Sequence, residues 1–122
     1  MSRITNTLNK FYVEQEIACF GFGAKLPVPF QDIVSHCFAV NGNIFKPACA
    51  GVRALESAYD ACIRNIELHG PTAFGEALSL IFEWIRSFKI DADHQEFFIL
   101  TLITRGGHVV DFKKVREMIL DN

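Results

Sequence analysis

The stretch Gly70–Thr104, GPTAFGEALSLIFEWIRSFKIDADHQEFFILTLIT, decides the fold class. Its first half places Phe74, Ala77, Leu78, Ile81, Phe82 and Ile85 on one face of a helix over three turns. Thr72 is a candidate N-cap, with Gly75 and Glu76 in the first turn. Asp91-Ala92-Asp93-His94 reads as a polar connection, and Phe97 to Ile103 as the strongest strand in the chain, closed by a turn at Thr104-Arg105-Gly106-Gly107. A helix followed by an apolar strand is the repeating unit of a layered α/β fold.

The same alternation extends outward. Ile4, Leu8 and Phe11 recur at helical spacing. Ile17 to Gly23 is a short, nearly continuous apolar run, the pattern of a strand covered on both faces in a parallel sheet. His36 to Val40 is a second strand, closed by Asn41-Gly42-Asn43, and the two strands could also form an antiparallel hairpin through a long loop. Val52, Leu55, Tyr59 and Cys62 form a helical stripe, and Phe112, Val115, Met118 and Ile119 another. The order helix, strand, strand, helix, helix, strand, helix predicts a three-layer α/β domain with a largely parallel sheet.

With 122 residues, half of them hydrophobic and twelve of them Phe, the chain suits one domain with material for a packed core. A formal net charge of −2 and the absence of a basic stripe argue against nucleic acid as a partner. Lys113, Lys114 and Arg116 read as the wet face of the last helix. No apolar run approaches the ~20 residues that cross a bilayer, and Met1 to Lys10 lacks the apolar core of a signal peptide. The expected compartment is the cytoplasm. Cys19, Cys37, Cys49 and Cys62 show neither a C-x-x-C pair nor zinc-finger spacing, so they read as reduced, mostly buried thiols.

Three segments carry a resemblance. Cys19-Phe20-Gly21-Phe22-Gly23-Ala24-Lys25 with Val34-Ser35-His36 and Phe38-Ala39-Val40-Asn41 is the first. Cys49-Ala50-Gly51-Val52, Ala58-Tyr59 and Gly70-Pro71-Thr72-Ala73-Phe74 form the second, and Phe98 to Thr104 with Gly106 the third. In this order they resemble the copine family over roughly residues 12 to 112. The resemblance implies a von Willebrand A fold, Rossmann-like, with a mostly parallel six-stranded sheet between helices. It also implies a metal-ion-dependent adhesion site at the carboxyl edge of the sheet, where open α/β sheets bind ligands. The family's parent activity is calcium-dependent phospholipid binding with recruitment of cytosolic target proteins, bringing such a protein to the plasma membrane. The lipid-binding modules are expected outside this chain, and the family's first and last strands outside residues 1 to 122.

Of the family's metal residues only Thr72 is matched, and Arg105 stands where the family has the Asp of Thr-Asp-Gly. A lone hydroxyl cannot hold Mg²⁺, which wants octahedral oxygen coordination with a carboxylate, and a guanidinium repels the cation. The resulting expectation is an incomplete metal site with no cofactor, in a non-enzymatic interaction scaffold with Arg105, His69 and Trp84 as partner-binding candidates. One alternative is a Mg- or Mn-dependent adhesion module that draws carboxylates from Asp111 or Asp32. Another is a vestigial, truncated domain.

Other patterns read more simply. Gly21-Phe22-Gly23 lacks the third glycine of a dinucleotide fingerprint, Leu26 standing in its place, and reads as a strand end that another segment approaches closely. His36 and Cys37 are neighbours on a strand and point to opposite faces, so they make no dyad. His69, His94 and His108 read as loop histidines, and Asp111 as a helix-capping or first-turn residue. No acid–base–nucleophile constellation emerges, so no enzyme is predicted.

Overall fold

The computed structural model describes residues 16–88 and 98–121. The stripe Ile4, Leu8, Phe11 and the polar connection 91–94 lie outside the described residues.

Strands β1 (Glu16–Ala18), β2 (Phe20–Gly21) and β3 (Ala24–Lys25) run out, and β4 (Val34–Ser35), β5 (Phe38–Ala39) and β6 (Ala48–Ala50) return antiparallel to them. This is the hairpin reading of the two apolar runs. Ala24 pairs with Ser35 and Gly21 with Phe38 in one register. Gly23 N–H donates to Ser35 O at 2.9 Å and Val40 N–H to Cys19 O at 2.9 Å, which makes the ribbon continuous. Ala18 then pairs with Ala48 although Phe20 pairs with Ala39. The returning strand therefore makes an excursion over residues 41–47.

Two asparagines build that excursion. Asn41 Oδ1 accepts from Asn43 N–H at 3.0 Å, and Asn43 Oδ1 accepts from Phe45 N–H at 3.1 Å and Lys46 N–H at 3.2 Å. Asn41 Nδ2 closes the loop onto Lys46 O at 2.7 Å. Side-chain amides that mimic backbone turns are the ordinary use of Asn here. A seventh strand, β7 (Glu67–Leu68), adds to the other edge of β3, pairing Leu68 with Ala24.

The described strands thus form small antiparallel sheets, not the parallel sheet read from the apolar run at 17–23. Ile17, Ala18, Cys19 and Phe20 are each half-buried, which gives near-continuous apolarity without a parallel neighbour. A second correction concerns Phe98 to Ile103, which has no regular secondary structure. Ile99, Leu100, Leu102 and Ile103 are 63%, 46%, 45% and 57% exposed. A strand needs a neighbour to complete its ladder, and no named strand pairs with this segment among the described residues. Among the described residues, parallel pairing is limited to the isolated bridge Thr72↔Val109, where Val110 N–H donates to Thr72 O at 3.0 Å.

Helix α1 (Gly51–Asn65) follows β6 directly and packs on β1 and β6. Leu55 is buried on its inner face beside half-buried Val52, Ala58 and Cys62, whereas Tyr59 is 40% exposed. The stripe thus turns by one position from the one read in the sequence. Helix α2 (Gly75–Arg86) buries Ala77, Leu78 and Ile81, with Phe74 buried just before it. Helix α3 (Phe112–Leu120) packs against α2. The core joins Phe74, Leu78 and Val115, with Phe22, Phe82, Val109 and Met118 against them. Phe22 brings the ribbon into this core, its ring 5.7 Å from that of Phe74. The apolar face of α2 therefore meets α3 and a ribbon phenylalanine, where the sequence predicts a sheet.

Two capping expectations change. Thr72 is not the N-cap of α2: its backbone is spent on the bridge to Val109, and the helix begins three residues later. The first amide of α2 is instead held from a distance, Gly75 N–H donating to Asp111 Oδ2 at 2.6 Å. Asp111 occupies the N-cap position of α3 but makes no side-chain cap bond to that helix. One carboxylate thus ties the starts of both helices, where it also meets the positive end of the α2 dipole. The tie turns Val115 and Met118 toward α2 and leaves Phe112 and Ile119 63% and 58% exposed, although the sequence stripe includes both.

Replacing Asp111 by Ala leaves the Gly75 amide without its charged acceptor. Urea unfolding should show a loss of about 1.5–3 kcal/mol, the worth of a hydrogen bond to a charged group. Asp111→Asn, which keeps a carbonyl oxygen, should recover part of it. Stability unchanged in Asp111→Ala would mean that the bond does not organise the helix pair.

Candidate functional site

Two loops meet at one corner of the domain. The first, 69–75, leaves β7 and enters α2; the second, 104–111, precedes α3. The Thr72–Val109 bridge and the Asp111–Gly75 bond sew them together. A Cβ on Gly107 would lie 3.7 Å from Thr72 Oγ1, which sets the threonine hydroxyl against the glycine turn. Gly106 has φ +79°, a left-handed conformation that suits glycine, and its N–H donates to Thr104 Oγ1 at 3.3 Å.

The ribbon supports this corner from the other side. His69 N–H donates to Gly23 O at 2.8 Å. A Cβ at Gly23, whose φ is +70°, would stand 3.0 Å from His69 O and 3.7 Å from Pro71 O. The Gly21-Phe22-Gly23 motif therefore serves close approach of a second segment, as its missing third glycine indicates. The His69 ring is exposed, with Nδ1 2.7 Å from Gly70 O.

Of the residues singled out from sequence, Thr72, Asp111 and the Arg105 loop come together, with His69 at the foot of the first loop. Arg105 is exposed. Trp84 does not join them. It lies nine residues into α2, roughly 13 Å along the axis from Gly75, and is half-buried in an aromatic cluster. Its ring centroid is 5.1 Å from Phe88 and 6.2 Å from Phe98, both edge-on, and Phe88 and Phe98 are 5.1 Å apart. That cluster anchors the segment following residue 97 to the end of α2, so a large part of the Trp84 ring serves intrachain packing. Asp32 is exposed in the turn between β3 and β4, on a different element from Thr72.

The donor set at the corner can be compared with a divalent cation's needs. Asp111 Oδ1 is buried without a hydrogen-bond partner, the kind of orphaned oxygen a cation could use. Its sister oxygen is already committed to Gly75, and Thr72 adds one hydroxyl. Among the described residues no group of three or more His, Cys, Asp or Glu side chains could hold a metal ion. One hydroxyl and one half-committed carboxylate do not fit octahedral Mg²⁺ coordination. What the corner does offer is an exposed cation and a histidine on loops fixed by backbone bonds, a geometry for recognition.

The described residues form a mixed α/β domain with helices beside small antiparallel sheets. The family model Copine matches residues 1–122, and the chain belongs to the copine family. Copine domains are von Willebrand A-like in general, generally non-enzymatic, and act as protein-interaction modules, the role in which this domain is placed. No helix among the described residues is long and apolar enough to cross a membrane.

The thiols form a separate feature. Burial, and then the charges that Cys49 and Cys62 would carry, push the Cys19 thiol up from 9.0 to about 11. Burial also raises Cys62, and burial followed by the Glu76 carboxylate raises Cys37. For a thiol, a raised folded-state pKa means that the native protein prefers the protonated form. The associated stability is fully present below pH 9.0 and is lost as pH climbs toward about 11. Solvent still reaches Cys19, so the loss it causes should be on the order of 1–2 kcal/mol, below the full linkage value. Urea titrations at pH 8 and pH 10.5 check this: Cys19→Ala should lose less stability over that interval than the unaltered chain. Equal losses would contradict the assignment.

Proposed function

We propose that the corner built from residues 69–72 and 105–111 is the docking surface of a non-enzymatic, copine-type scaffold that recognises cytosolic target proteins without a bound metal. The observation that carries this reading is the pairing of two loops joined by the Thr72–Val109 bridge and the Asp111–Gly75 bond with an exposed guanidinium at Arg105. A guanidinium presents a planar fork of donors that suits carboxylates and repels cations. The partner surface it fits is therefore acidic, with His69 as a neighbouring contact. Trp84 contributes its exposed edge at most, because its neighbours are Phe88 and Phe98.

The finer architecture belongs to the same proposal. A von Willebrand A-like α/β arrangement in general fits the family, with antiparallel pairing among the described strands and the parallel Thr72–Val109 bridge at the corner. Calcium-dependent phospholipid binding is proposed for the parent protein through modules other than the residues described. In that reading this domain is cytoplasmic and reaches the plasma membrane within a full-length parent. Nucleic acid is no partner, in keeping with a net charge of −2. The buried, unpartnered Asp111 Oδ1 favours one second reading, a Mg- or Mn-dependent adhesion module using Asp111 in place of the residue at 105.

Affinity capture from cytosol by the immobilised chain, run in chelator and in millimolar Mg²⁺ and read by quantitative mass spectrometry, separates the two. The scaffold reading predicts one set of proteins retained equally in both buffers and reduced about tenfold or more by Arg105→Glu, as for a charged hot spot. Retention only with Mg²⁺, insensitive to Arg105→Glu, would establish the adhesion-module reading instead. The vestigial reading predicts no set that Arg105→Glu alters.

A further inference from the structure

The sequence from Ile99 to Ile103, Ile-Leu-Thr-Leu-Ile, reads the same in both directions about Thr101. Its exposure repeats that symmetry: Ile99 and Ile103 are 63% and 57% exposed, Leu100 and Leu102 46% and 45%. The alternation between more and less exposed residues has the period of two that an extended strand gives. Among the described residues no backbone hydrogen bond reaches 99–103, and the segment has no regular secondary structure. It is nevertheless fixed at both ends. Phe98 sits in the cluster with Trp84 and Phe88, and beyond Ile103 the Thr104 hydroxyl accepts from Gly106 N–H. Natural proteins guard such an edge with Lys, Pro or bulges, whereas Phe97 to Thr104 carries no charge, no Pro and no Gly.

We propose that residues 99–103 are a self-recognition strand, to which a second copy of this chain adds antiparallel across a two-fold axis at Thr101. An isologous interface joins the same patch of both copies, so that residue i of one meets residue j of the other and j meets i. Antiparallel pairing centred on Thr101 puts Ile99 opposite Ile103 and Leu100 opposite Leu102 on both sides of the axis, with Thr101 opposite its own copy. Thr–Thr pairs and matched apolar pairs across two strands are favourable ones. A palindrome is what such an axis requires, and an unrelated strand would gain nothing from it. The ladder also supplies the amides and carbonyls of 99–103 with the partners they lack among the described residues. So short a strand makes a small contact, and the dimer is a weak one that forms at high protein concentration.

Sedimentation equilibrium of the chain over roughly a hundredfold range of concentration reads the association. The expected result is a reversible equilibrium between monomer and dimer that stops at the dimer. Thr101→Lys and Thr101→Glu each place like charges directly opposite one another at the axis, and each should weaken association by about tenfold or more. Mixing the two variants in equal amounts should restore the dimer, because Lys meets Glu only if position 101 faces its own copy. A chain that stays monomeric throughout, association unchanged in either variant, a mixture that stays apart, or open-ended growth past the dimer would overturn the proposal. Thr101 is exposed, so both variants should fold, and circular dichroism checks this. Should either unfold, hydrogen exchange on the unaltered chain decides. The amides of 99–103 should gain protection as concentration rises, and protection independent of concentration would refute the pairing.

Discussion

The bond from Gly75 N–H to Asp111 Oδ2 is the constraint on which the arrangement of the helical half depends. A helix leaves its first amides without intrahelical partners, and α2 has no side-chain cap of its own. A carboxylate from the next helix supplies the missing acceptor in charged form, at the end of the dipole where negative charge is stabilised. Once that bond is made, Val110 is close enough to donate to Thr72, and Val115 falls onto Leu78 and Phe74. The loop corner, the core and the exposed setting of Arg105 all follow from the same anchor.

The other half of the molecule is organised by chain proximity. The ribbon nests its pairs, β3 with β4 inside β2 with β5 inside β1 with β6, so each further pair closes little additional loop. The excursion at 41–47 shifts register and lets β6 run straight into α1. The two halves are joined where Phe22 meets Phe74 and where His69 pairs with Gly23. Against this, no large side chain among the described residues is fully buried, and a series of large apolar residues from Ile99 to Ile103 is exposed.

Much of this was readable from sequence where periodicity operates locally. The α2 stripe appears at its residues, the α1 stripe is displaced by one position with Ala58 turned in and Tyr59 out, and the apolar runs at 17–23 and 36–40 coincide with the short ribbon strands β1, β2 and β5. The Gly21–Gly23 motif is a close-approach site, as the absent third glycine implies. What could not be read depends on pairing at a distance. Parallel and antiparallel partners give the same short apolar run, so the sheet type was not legible, and β7 is too short and polar to signal itself. Phe98 to Ile103 has strand chemistry, yet a ladder needs a neighbour that composition does not report. Thr72 looks like a cap because of its type and place, but Asp111, thirty-six residues beyond Gly75, performs that role for α2. The stripe at 112–119 reads as one face, and only the Asp111 tie decides that Val115 turns in and Phe112 out. For the candidate site, Thr72, His69, Arg105 and Asp111 were legible as individuals; their grouping, and the diversion of Trp84 into an aromatic cluster, were not.

The central claim is that protein bonds, with Asp111 committed to Gly75, hold the corner in place of a metal ion. The most direct measurement is a thermal melt of the purified chain with chelator and with millimolar Mg²⁺. A ligand that binds the native state raises the midpoint in proportion to its occupancy. The account predicts one cooperative transition with the same midpoint in both buffers. A midpoint that climbs with Mg²⁺ concentration would contradict it, because the native corner would then be binding the cation.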